Sequence, residues 1–73
     1  MQKLLLEALT AFYEGNIMKA QANLMVYLKN PAGIGEHSDI IEAMDEQVAI
    51  IADNQDKLAV VKSYDELEDL AKL

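Results

Sequence analysis

Residues 30–61 read NPAGIGEHSDIIEAMDEQVAIIADNQDKLAVV, and the fold turns on how this stretch divides. Pro31 disfavours helical angles at Asn30 and stops any helix arriving from upstream. Gly33 and Gly35 permit backbone angles that other residues resist, and Ile34 between them is expected to pin the turn to a core. Ser38 stands before Asp39-Ile40-Ile41 as the expected N-cap of a long helix. Asp39 and Glu42 suit the positive end of its macrodipole. Beyond the cap, Ile41, Met44, Val48, Ile51 and Leu58 step by three, four, three and seven, with Gln55 at the omitted position. A period of about 3.5 residues is the packing seam of a left-handed helix pair. Ile40, Ile50 and Ala52 widen the stripe, which suits a bundle. Glu42, Asp45, Glu46, Asp53 and Asp56 fall mostly elsewhere and give the helix an acidic exterior. Asp53-Asn54 favours caps and turns, so a kink is expected there.

Upstream, residues 2–14 repeat apolar side chains at Leu5, Leu9 and Phe12, with Leu6 and Tyr13 beside them. This is the pattern of an amphipathic helix. Gly15-Asn16 follows as an expected helix stop and turn, with Asn16 able to cap the next segment. Residues 17–29 then form a second helix. One of its stripes is Ile17, Ala20, Leu24, Tyr27 and Leu28; a second is Met18, Ala22 and Met25. With Val26 added, its last turns are apolar nearly all round, the mark of a helix covered on more than one side. The short turn at Gly15-Asn16 would make these two helices an antiparallel hairpin.

Downstream, residues 62–73, KSYDELEDLAKL, place Ser63 and Glu66 at capping-box spacing. That spacing favours a short, separate fourth helix. The alternative is an unbroken helix from Asp39 onward, about 50 Å long at 1.5 Å per residue.

The chain has 73 residues, no cysteine and one histidine. A domain this small is marginal on its own core. Without disulfides or a thiolate metal site, a partner subunit becomes the expected source of added stability. A hydrophobic content of 52% argues against disorder. Charge is uneven: residues 1–35 carry a net +1, and residues 36–73, with three lysines and eleven acids, carry −8. There is no arginine. Direct binding to nucleic acid is not expected, because phosphate neutralisation needs a basic patch. Attraction to an anionic membrane is not expected, on the same ground. Leu24–Leu28, the longest apolar run, is far below spanning length, and Met1–Leu6 is too short for a signal-peptide core. The expected location is the cytoplasm, a host's cytoplasm if the source is viral.

Chemistry-bearing residues are sparse. Glu36, His37 and Asp39 are the one cluster of catalytic or metal-ligand types, and capping and turn formation account for them. Glu42, Asp45 and Glu46 have helical metal-site spacing, but no Glu-x-x-His accompanies them. Ser38 and Ser63 read as caps, and no Gly-x-Ser-x-Gly occurs. The Gly33-Ile34-Gly35 segment lacks the lysine of a phosphate loop, and its neighbouring acids would repel phosphate. No catalytic, cofactor-binding or metal residue is assigned, and no cofactor is expected.

Within Asn23–Glu42, the segments Val26-Tyr27-Leu28, Asn30-Pro31, Gly33-Ile34-Gly35-Glu36-His37 and Asp39-Ile40-Ile41-Glu42-Ala43 resemble small uncharacterised proteins of tailed bacteriophages, especially marine ones. The resemblance covers residues 15–58. It implies a viral source and an accessory role, such as inhibition of a host nucleic-acid enzyme, and assigns no activity or site.

The sequence thus predicts one all-α domain over residues 1–73: an antiparallel helical hairpin, a long third helix and a short C-terminal helix, completed by self-association. Ile41, Met44, Val48, Ile51 and Leu58 form the packing seam. Leu24, Met25, Val26, Leu67 and Leu70 are the expected interface with further copies. The expected function is that of a non-enzymatic, homo-oligomeric interaction module. The alternative is an acidic inhibitor, or nucleic-acid mimic, that binds a basic host or phage protein handling nucleic acid.

Overall fold

The computed structural model describes residues 1–30 and 39–71. Two helices pack against each other as a hairpin: α1, Gln2–Lys29, and α2, Ile40–Ala71. The molecule is a rod of 57 × 16 × 16 Å. The all-α class stands, but the hairpin is drawn at twice the expected scale. Its first arm contains both helices expected before Pro31, and its second contains both expected after Ser38.

Gly15-Asn16 is not a turn. A glycine inside a helix costs only about 1 kcal/mol relative to alanine, and the inward positions Tyr13, Ile17 and Ala20 keep their spacing through it. Asn16 directs its amide to α2 instead of capping a new helix. Ser63 likewise starts no fourth helix. Its hydroxyl donates to the Val60 carbonyl at 2.7 Å, a back-bond that satisfies a serine inside a helix. α2 continues through Asp53-Asn54, the site of the expected kink, and the Asn54 side chain faces inward, toward α1.

The start of α2 and the end of α1 are dressed as their dipoles require, whereas the first turn of α1 carries no side-chain cap or acid and the last turn of α2 no basic residue. Asp39 Oδ1 accepts from the backbone N–H of Ile41 at 2.8 Å and of Glu42 at 3.3 Å. Asp39 is therefore the cap of α2, the role expected of Ser38. Ser38 and the rest of residues 31–38, with the Pro31, Gly33, Ile34 and Gly35 expectations, lie outside the described residues. At the end of α1, the Asn30 N–H donates to the Val26 carbonyl at 2.8 Å, and Lys29 sits beside the negative pole.

Residues shielded from solvent fall into one stripe on each helix. On α1 it runs Leu6, Thr10, Tyr13, Ile17, Ala20, Leu24 and Tyr27; on α2 it runs Ile40, Met44, Gln47, Ile51, Asn54, Leu58, Val61 and Asp65. Steps alternate between four and three on both, as in a coiled coil. Met44, Ile51 and Leu58 hold their expected places. Ile41 and Val48 do not: they are 70% and 51% exposed. The inward positions beside them belong to Ile40 and Gln47. Hydrophobicity alone favours isoleucine and valine there, but polar partners on α1 draw the amides inward, which turns α2 by a fraction of a turn. On α1 the same correction applies to Leu5, Leu9, Phe12 and Leu28, all exposed, while Leu6 and Tyr13 face α2.

The resulting core is thin. Among the described residues, Ala20 and Val61 are the buried hydrophobic ones, at 1% and 7% exposure, and no large side chain is fully enclosed.

Candidate interaction surfaces

Polar groups set the register between the helices. Asn16 Nδ2 donates to Asn54 Oδ1 at 3.0 Å, and one heptad along, Asn23 Nδ2 donates to Gln47 Oε1 at 3.1 Å. Asn54 is 5% exposed, and its Nδ2 donates to the Ile50 carbonyl at 2.7 Å. Because a carbonyl can only accept, this bond fixes the amide's orientation and leaves Oδ1 for Asn16. Among the described residues, no buried side-chain nitrogen or oxygen lacks a partner.

A third cross-hairpin contact lies beyond Asn16. The Lys57 ammonium sits 5.7 Å from the centre of the Tyr13 ring, within cation–π range. It also pairs with Asp53, one turn earlier on α2, at 2.9 Å. Asp53's hydrogen bond and charge raise the Lys57 pKa above its ordinary 10.5. In all three cross-hairpin pairs the residue numbers sum to 70, so one antiparallel register holds from Tyr13 to Asn23.

The sequence reads Asn16 as a cap and Asp53-Asn54 as a kink, and gives Asn23 and Gln47 no role. Their signal was present: Asn16 and Asn23 are seven apart, as are Gln47 and Asn54. Two polar pairs at equal heptad spacing can meet layer by layer, and the short connection between Lys29 and Ile40 makes the meeting antiparallel.

Large apolar side chains lie on the outer surface. Leu4, Leu5, Phe12, Met18, Met25, Val26, Leu67 and Leu70 are all more than half exposed. Four of the five expected interface residues, Met25, Val26, Leu67 and Leu70, are therefore solvent-facing. The fifth, Leu24, lies on the inner stripe toward α2. A shallow groove near the free end of α1, lined by Gln2, Leu5, Leu6 and Tyr64, is also largely apolar. The groove across the opposite edge holds Lys3, Glu7, Lys62 and Asp65 and is charged.

Charge divides between the helices. α1 sets Lys3, Lys19 and Lys29 against Glu7 and Glu14, a net +1; α2 sets nine acids against Lys57 and Lys62, a net −7. Among the described residues no group of three or more His, Asp or Glu side chains is placed to hold a metal ion. Asp39 is occupied in capping, and Glu36 and His37 lie outside the described residues. No described helix is long and apolar enough to cross a membrane. No protein-family model, curated protein or solved structure matches the chain.

Proposed function

We propose that the protein is a non-enzymatic interaction module that works as a homo-oligomer. The observation that carries this is the imbalance between core and surface. One chain exposes 5691 Å², whereas a compact folded chain of 8.1 kDa exposes about 4,500 Å². The excess is about 1,200 Å² per chain, and among the described residues Leu4, Leu5, Phe12, Met18, Met25 and Val26 are more than half exposed. Two chains that hid it would bury about 2,400 Å², within the range of obligate homodimers. Packing with another copy offsets the thin core, and a small chain without disulfides gains stability most readily that way. A phage accessory role, implied by the resemblance over residues 15–58, is compatible with such a module.

Light scattering coupled to size-exclusion chromatography tests the proposal. The expected mass is a small whole multiple of 8.1 kDa at micromolar concentration. A single-chain mass across the micromolar range would refute it.

A second reading is capture of a basic, nucleic-acid-handling protein. It draws on the net −7 of α2 and on the exposure of Glu42, Asp45, Glu46, Asp53 and Asp56. Such capture would weaken steeply with salt. Changing Glu42, Glu46 and Asp56 to their amides should abolish capture of a basic partner at low salt. Retention by the triple variant would rule the reading out.

A further inference from the structure

Going further on the proposal of self-association, we infer that the contact is antiparallel pairing of α1 with α1 of a second copy, centred on Gly15. From Leu4 to Met25, the face of α1 opposite α2 runs through Ala8, Ala11, Gly15, Met18 and Ala22 in alternating steps of four and three. Every residue on it is exposed, and none is charged. The periodicity is that of a second coiled-coil seam, set on the far side of the helix from the first.

Three observations select a second copy as the occupant. The first is self-complementarity. Turned end for end about Gly15, the stripe maps onto itself to within one residue: Gly15 meets Gly15 and Ala8 meets Ala22, while Leu4 comes beside Met25 and Ala11 beside Met18. A two-fold contact requires such a surface, since each residue must meet its symmetry mate's counterpart. Small residues at the centre let the two backbones approach, and longer side chains close the ends. A Cβ on Gly15 would meet nothing within 4 Å in the single chain, so its own hairpin does not require glycine there.

The second is charge. Pairing through α1 brings two helices of net +1 together and leaves the two −7 helices outside. At interaxial steps of 8–10 Å the outer helices lie about 24–30 Å apart, roughly three Debye lengths at physiological salt. The outward face of α2 is a poor alternative, because it carries Glu42, Asp45, Asp56 and Glu66, and covering it with an apolar stripe would strip water from unpaired carboxylates. The third is area: the surplus surface of two chains matches what a stable dimer buries.

The chain has no cysteine, so single-cysteine variants report the geometry directly. The wild-type mass is measured first, then oxidation of Gly15→Cys, Leu4→Cys and Met25→Cys, alone and mixed. Expected are a two-chain mass, rapid self-crosslinking of Gly15→Cys, and a mixed disulfide between Leu4→Cys and Met25→Cys, with neither of these crosslinking to itself. Gly15→Glu should lower the dimer's affinity at least a hundredfold, while circular dichroism at concentrations where both proteins are monomeric shows equal helix content. A wild-type monomer would sink both this pairing and self-association. A dimer that tolerates Gly15→Glu, or whose position 15 does not crosslink, would overturn the pairing alone. Self-crosslinking of Leu4→Cys and of Met25→Cys would overturn its antiparallel sense.

Discussion

Asn16 and Asn54 meet amide to amide at 3.0 Å across the hairpin, in a layer with Asn54 almost wholly shielded from water. Their hydrogen bond joins the midpoint of α1 to that of α2. It holds Gly15, the residue beside it, near the centre of the rod.

Removing one member of this pair should cost more than removing both. Asn16→Ala leaves Asn54 Oδ1 buried without a donor, a loss of about 1–3 kcal/mol. The double change Asn16→Leu with Asn54→Leu should come out near neutral or more stable, because a packed apolar pair replaces a desolvated polar one. What the leucine pair should lose is uniqueness of register, as when a buried asparagine is taken out of a coiled coil. Urea unfolding of the four proteins of the cycle gives the coupling. Distance measurements between spin labels on the two helices give the register; a single sharp distance in the double variant would count against a register role.

The rotation of α2 predicts which hydrophobic substitutions matter. Val61→Ala removes a buried side chain and should cost about 1–2 kcal/mol. Ile41→Gln and Val48→Gln change exposed positions and should stay within about 0.5 kcal/mol. Thermal melts at equal concentration rank the three. A larger loss at Ile41 than at Val61 would restore the seam expected from hydrophobicity alone.

Asp39 accepts two backbone donors at the start of α2. Asp39→Ala should destabilise by about 1 kcal/mol, and Asp39→Asn, an equally good cap, by only a few tenths. Equal losses in the two variants would show that the charge, rather than the side-chain acceptor, is what counts.

Lys57 links Asp53 and Tyr13, and its pKa lies above the ordinary lysine value. A raised folded-state pKa means the charged form is favoured by folding. Its stabilisation is therefore complete below about 10.5 and is lost as pH rises through the higher folded value. The melting temperature should fall in that alkaline window, and less so in Lys57→Met. Both groups of the ion pair are well exposed, so the effect is small and weakens with added salt. A variant whose alkaline decline matches the wild type would remove Lys57 from the account.

The helical content and its division between Asn30 and Asp39 were legible in the sequence, since local propensity and punctuation decide them. So were Met44, Ile51 and Leu58 as inward residues, and Met18, Ala22 and Met25 as a separate face, because hydrophobic period alone finds such stripes. The two extra helix ends expected at Gly15 and Ser63 were not settled locally. A glycine or a serine in a helix costs little, and packing against a second helix outweighs that cost. The rotation of α2 could not be read from either helix by itself. It depends on Asn16 finding Asn54 and Asn23 finding Gln47, pairs 38 and 24 residues apart. Sequence by itself determined that this chain would be helical, acidic toward its C-terminal half and rich in apolar residues. Only the tertiary structure decided which residues face inward, because burying an amide is favourable only where another amide waits for it.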